Sequence, residues 1–332
     1  MASLKYIIKR LITSIFILLG VSLIIYFLIR LMPVDFIQDK INAINQGGAT
    51  VSQETVDAMY KMYGLGDDSF MGILGGYFSW LAALFRFDLG TSFVYSIPVA
   101  DVIVQHMGIS FAISLIATVF EFMIAIPLGI TAATHQYSIR DYVVTILVMI
   151  GISLPSFFFG NMLKDFLALK LGWFPASGLI DATASYTGVE LLIDYARHVF
   201  IPILTIVILS IGARMRMTRT NMLEVMNSDY IRTARAKGCE ESVVINKHAF
   251  RNTLIPLVTS MAGLIPCLFS GAIITEQVFD LPGIGTVALG AMYRGDIPFI
   301  MGYNMFLAVL SVLGVLLADL MYGVVDPRVK LE

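Results

Sequence analysis

Six stretches of the chain are apolar and nearly free of charge, and the polar segments between them differ greatly in length. Lys5, Lys9 and Arg10 precede an uncharged run over residues 11–29. Crossing a hydrocarbon core takes about 20 residues, against roughly 7 to 15 in the apolar part of a signal peptide, so this run predicts an uncleaved first span entering from the cytoplasm. The second run, 107–134, is interrupted only by Glu121 and carries Pro127 and Gly129; the third, 142–163, contains Pro155, which predicts a kink or an early break. In the fourth only 199–213 is uncharged, with Pro202 inside it. That span needs its flanks: Arg197 and Arg214 snorkelling to the interfaces, and a helix continuing through Arg216 and Arg219 into the cytoplasm. The fifth run, 253–275, is uncharged throughout, and the sixth covers 298–318.

Among the polar segments, 33–106 holds eight Asp or Glu against three Lys or Arg, with aromatic clusters such as Tyr77, Phe78 and Trp80. These aromatics argue against a disordered tail and for an external domain or lid packed at the membrane surface. Residues 164–198, with Trp173, Pro175 and Gly178, form a second external loop. An external hairpin around Pro282, Gly283 and Gly285 separates the last two runs. The resulting divisions are a first transmembrane helix (1–32), an external segment (33–106), a five-helix core (107–326) and a tail (327–332).

The segment 214–252 is different in kind, being long, polar and strongly basic. From Asn227 to Gly238 it predicts a short helix that Ser228 or Asp229 can cap and that Gly238 closes in the left-handed conformation. Tyr230 and Ala234 share one face at i, i+4, and Arg232 and Arg235 another at i, i+3; Lys237 ends the helix. A second helix follows, with Glu240 and Glu241 in its first turn and Lys247 and Arg251 in its last, as the helix dipole favours. The segment is readable either as an amphipathic loop on lipid headgroups or as a docking surface for a soluble partner.

At 58% hydrophobic and 14% charged residues the composition departs from that of soluble domains, which have roughly 45–50% and about 25%. It fits an all-α polytopic membrane protein of six transmembrane helices. With both termini in the cytoplasm, 14 of the 22 Lys and Arg fall inside, in agreement with the positive-inside rule. No phosphate-binding loop occurs, since the chain has no Gly-Lys pair, so nucleotide hydrolysis is not expected of it. Cys239 and Cys267 stand too far apart for a CxxC site, and His106, His135, His198 and His248 are isolated; no metal site and no nucleic-acid partner are predicted. Two carboxylates fall inside spans, Glu121 and Asp319. An acid at mid-bilayer costs about 2.5–3.5 kcal/mol on insertion scales, so Glu121 faces other helices or water: either as a pathway or proton-coupling residue or, the preferred reading, as a protonated or hydrogen-bonded helix contact.

The residues Asp229-Tyr230, Thr233-Ala234-Arg235-Ala236-Lys237-Gly238, His248-Ala249, Arg251-Asn252 and Leu254-Ile255-Pro256 resemble the EAA loop of ABC-importer permeases, in the form found in the dipeptide, oligopeptide and nickel family. Ordered matches run through nearly the whole chain, among them Tyr63-Gly64-Leu65, Asp88-Leu89-Gly90-Thr91-Ser92, Pro155-Ser156-Phe157, Gly172-Trp173-Phe174-Pro175, Leu281-Pro282-Gly283-Ile284-Gly285 and Asp326-Pro327-Arg328. Val34-Asp35-Phe36 stands where the family has Gly-Asp-Pro, and Glu121 is a departure in the second span. The pattern is similar to the first of the two permease subunits. The resemblance implies a type I importer (MetI-like) permease fold in a bacterial or archaeal cytoplasmic membrane. It further implies a second homologous permease, two cytoplasmic ATPase subunits that bind ATP and Mg, an extracytoplasmic binding protein and a peptide cargo. In this scheme the chain has no cofactor and is not itself an enzyme. Ser228, Asp229, Tyr230, Arg232, Ala234, Arg235, Lys237 and Gly238 would couple to the ATPases, with Ala234 allowing close approach, and Pro282, Gly283 and Gly285 would form an external gate or turn. Nickel chelates, glutathione-like compounds or oligosaccharides are the alternative cargoes. The rival function is an ion-gradient-driven secondary transporter working through Glu121 and Asp319; a membrane scaffold and an intramembrane enzyme rank below it.

Overall fold

The structure, a computed structural model, describes residues 4–31 and 69–325, with positions 42, 46, 54 and 57 singly. The expected turn at Val34-Asp35-Phe36, the Tyr63-Gly64-Leu65 match and the tail from Asp326 lie outside the described residues. The described part is helical: α1 (Leu4–Arg30), α2 (Phe70–Phe85), α3 (Val99–Thr134), α4 (Ile139–Ser153), α5 (Ser156–Leu163), α6 (Val189–Met226), α7 (Asp229–Ala236), α8 (Phe250–Ser260), α9 (Leu264–Ser270), α10 (Ile273–Val278), α11 (Ile284–Arg294) and α12 (Ile297–Val325). Five helical stretches are long and apolar enough to cross a membrane, and α4 with α5 makes a sixth if that bent pair is one span.

The bend between α4 and α5 is 102°. Leu154 is extended there, as the residue before a proline prefers, so the break expected at Pro155 is present and sharp. Pro202 does not interrupt α6, a single helix of 38 residues that carries Arg214, Arg216 and Arg219 well beyond the uncharged run. The fifth run is instead segmented. A wide turn over Val244–Ala249 leads into α8, a tight turn over Met261–Gly263 joins α9, and Gly271, at φ +74°, breaks the chain before α10. The predicted second loop helix therefore does not end at Arg251 but continues into this span. Where a hairpin was expected, α11 forms an eleven-residue helix closed by left-handed Gly295.

The centre of the molecule is α3 packed along α6. Their approach is close because Gly129 offers no side chain: a Cβ there would lie 2.6 Å from Thr218 Cβ and 2.9 Å from the Met215 carbonyl. Ala125, Ala132 and Met215 fill the same seam. At one end Val99, Val102 and Ile103 of α3 pack with Ile284, Val287, Ala288 and Ala291 of α11 and with Phe299 and Tyr303 of α12. At the other, Ala133 and Met222 receive α7. α12 in turn is clasped to α1 by Arg10, whose Nε lies 2.9 Å from Asp319.

Candidate functional site

The polar segment folds as a compact module at the α7 end of the bundle. Ser228 occupies the N-cap position with extended backbone, but its hydroxyl donates backward to the Val225 carbonyl (2.6 Å) and does not cap α7. Asp229 projects into solvent in the first turn, its side chain 98% exposed and 3.6 Å from Arg232. The C-terminus closes as expected. Gly238 takes φ +77°, its N–H donates to Arg235 O (2.9 Å), and Cys239 N–H reaches back to Ala234 O (3.3 Å), the paired bonds of a Schellman motif.

What seats the module is Ile231 with Ala234, both buried against Ala133, Met222, Val244 and Ala249. Ala234 thus packs on its own chain and is not offered for close approach by a partner, a correction to the sequence reading; at i+3 from Ile231 it lies on the inward face. The outward surface comprises Tyr230, Arg232, Arg235, Lys237 and Gly238. Of the two arginines, Arg235 is already engaged: Nη2 donates to Glu241 Oε1 at 2.7 Å and Nε to Oε2 at 3.1 Å, a bidentate brace across the glycine turn that raises its pKa. Arg232, its side chain 73% exposed and 3.6 Å from Asp229, stays open to solvent beside the likewise exposed Lys237.

Between the ends, Glu121 on α3 accepts from Arg214 Nε on α6 (3.1 Å), and Arg214 Nη1 donates to Ser260 Oγ on α8 (2.8 Å). The guanidinium also lies over the Phe122 ring at 4.5 Å. Arg214 was expected to snorkel outward; it turns inward to Glu121, which would otherwise stand buried without a counter-charge. Arg219, five positions further along, makes a bidentate pair with Asp141 of α4 (2.9 and 2.8 Å). An apolar cavity of about 780 Å³ opens between α3 and α6, lined by Ile109, Ile113, Phe120, Tyr195, Phe200 and Ile203 among others. Glu121 is not part of that lining.

At the far end stands a carboxylate the sequence reading did not single out. Glu276 of α10 is 1% exposed and accepts from Ser110 Oγ (2.7 Å), Ala272 N–H (3.1 Å) and Thr286 N–H (3.0 Å). Gly271, Gly283 and Gly285 wall it in: a Cβ on Gly283 would lie 2.5 Å from its Cδ, and on Gly285 2.8 Å from Oε2. His106 Nδ1 lies 3.0 Å from the Pro282 carbonyl, tying the turn to α3. The glycine motif is therefore the cradle of an acid, and the signal was an acidic residue a few positions before clustered turn glycines. Asp296, fully buried, plays a similar part. It caps α12 through Phe299 N–H (3.3 Å) and accepts from Ser92 Oγ (2.5 Å) and from the N–H groups of Phe93 and Val94 (3.1 Å each). No group of three or more His, Cys, Asp or Glu suited to a metal occurs among the described residues.

The family model of the binding-protein-dependent transport system inner membrane component matches residues 125–331. The chain belongs to this family. Curated relatives extend the match over nearly its whole length. The oligopeptide transport system permease protein AppB of Bacillus subtilis (strain 168) is 34% identical over 326 residues, 98% of this chain and 99% of that one. The dipeptide transport system permease protein DppB of Escherichia coli (strain K12) is 31% identical, again over 98% and 99%. Among solved structures, an inward-facing MetNI methionine ABC transporter matches with a TM-score of 0.52 at 17% identity, covering 68% of this chain and 96% of that chain. The fold is that of a type I importer permease, and the protein is a multi-pass membrane component of a transport system.

Proposed function

We propose that this chain is the first permease subunit of an ATP-driven importer of oligopeptides or dipeptides. It encloses the path with a second, homologous permease, has both termini in the cytoplasm, and meets the ATPases through residues 228–252. The cargo reading rests on the names of the relatives that span the whole chain. The coupling reading rests on one observation, the α7 module: a short helix seated by Ile231 and Ala234, braced by Arg235 and Glu241, and presenting Tyr230, Arg232 and Lys237 outward. A rigid relief of this kind transmits a push to α3 and α6, on which it sits, whereas a flexible tether does not. ATP and Mg belong to the ATPase subunits in this scheme. An extracytoplasmic binding protein delivers peptide to the end of the bundle that holds Glu276 and Asp296, where Pro282, Gly283 and Gly285 fix the turn. The pairing of Glu121 with Arg214 supports a structural role for that acid over proton coupling.

The test is purification of the tagged chain from its host after gentle extraction, followed by ATPase assays with and without peptides. A second permease and ATPases that co-purify, with turnover stimulated by peptide and binding protein, are expected. A lone chain that moves solute without ATP would overturn the proposal.

A further inference from the structure

Residues 69–85 contain no charged side chain, yet Asp67 and Asp68 precede them and Arg86 and Asp88 follow. The sixteen residues of α2 rise about 24 Å, short of the roughly 30 Å of a hydrocarbon core, so this helix does not cross a membrane. One side of it is committed to α1. The Tyr77 hydroxyl lies 3.0 Å from Ser22 Oγ, Tyr26 donates to the Ile73 carbonyl (3.1 Å), and the Trp80 and Tyr26 rings stack with centroids 6.1 Å apart. The other side carries Phe70, Met71, Phe78 and Phe85, each between 60% and 76% exposed.

The level of these contacts identifies what covers that exposed side. Ser22 and Tyr26 lie within the uncharged run of α1, and Ser22 is about 12 Å along the helix axis from Arg30, where the run ends. Ile24, Phe27 and Leu28 of α1 are exposed at the same level, so the apolar surface of α1 continues onto α2 without a polar boundary. A helix apolar on both faces, lying alongside the hydrophobic part of a spanning helix, is solvated by lipid, and its Tyr and Trp suit the aromatic zone just below the headgroups. We propose that α2 is embedded in one leaflet, with Phe70, Met71, Phe78 and Phe85 in contact with acyl chains. That the leaflet is the outer one rests on the orientation proposed above; the lipid contact does not. α2 thereby sets the level at which the chain returns to the bundle, where Ser92 to Val94 dock on Asp296.

The experiment places a single nitroxide-labelled cysteine at Met71, Phe78 or Phe85, with Cys239→Ser and Cys267→Ser, in the complete complex reconstituted into phosphatidylethanolamine and phosphatidylglycerol vesicles. Collision rates with oxygen, which partitions into lipid, and with a water-soluble nickel chelate are compared with those of Gln136→Cys, exposed in the link between α3 and α4, as the aqueous reference. The expected result is a gain in oxygen collisions and a loss of chelate collisions at all three positions relative to that reference. Chelate collisions equal to those at Gln136→Cys would overturn the proposal by showing water. Low rates with both reagents would overturn it by showing a protein contact. A second measurement introduces no spin label: Phe78→Trp, compared with the unaltered complex, should add fluorescence that lipids brominated high on their acyl chains quench, and absence of that quenching overturns the proposal.

Discussion

Glu276 is held by three donors, and each of its oxygens is used. Glu276→Gln turns one acceptor into an amide donor facing another donor, which should cost about 1–3 kcal/mol and lower the melting temperature of the purified complex. Gly283→Ala should do at least as much, because its methyl group would occupy the space of the carboxylate. Unchanged melting of Glu276→Gln would overturn the reading that both oxygens must accept. At Glu121 the prediction has two parts. Glu121→Ala leaves Arg214 buried without its counter-charge, a loss of about 3–5 kcal/mol, whereas Glu121→Leu with Arg214→Met removes both charges and should restore most of the stability. If the double variant melts normally yet fails to import, Glu121 has a role in the path. The sequence exposed Glu121 as an anomaly but not its partner, because Arg214 stands 93 positions away and only the packing of α3 on α6 brings the two together.

At the scale of the element, α7 was legible almost to the residue. Its start, its left-handed Gly238 and its exposed arginines follow from local chemistry. Ala234 was not, since its direction depends on Ala133 and Met222, supplied by two other helices. No atom lies within 4 Å of a Cβ placed on Gly238, so a substitution there meets only backbone strain, about 1–2 kcal/mol for a non-glycine residue in the left-handed region. Gly238→Val should therefore uncouple ATP hydrolysis from uptake, while Gly238→Asn, which tolerates that conformation, should retain most of it; paired uptake and hydrolysis assays decide. Arg235→Ala should barely shift melting, because exposed ion pairs contribute about 0.2–1 kcal/mol. A large loss of uptake in that variant would then show that coupling, not stability, depends on Arg235, either through its brace to Glu241 or through a contact with the ATPase.

For the whole molecule the central prediction is orientation. In right-side-out vesicles of a cysteine-free background, Tyr293→Cys, at the solvent-exposed end of α11, should react with an impermeant maleimide. Gln136→Cys, exposed in the link between α3 and α4, should react only after permeabilisation; the reverse pattern would invert the topology. The number and order of the spans, the break at Pro155 and the basic module between the fourth and fifth runs are properties of the sequence alone, because about twenty apolar residues must leave water together and a proline must disturb its own helix. The buried ion pairs, the glycine cradle of Glu276, the capping of α12 by Asp296 and the inward turn of Arg214 were decided only in the tertiary structure. Each joins groups distant along the chain, and spans that are apolar nearly all round carry no periodicity to say which face meets which.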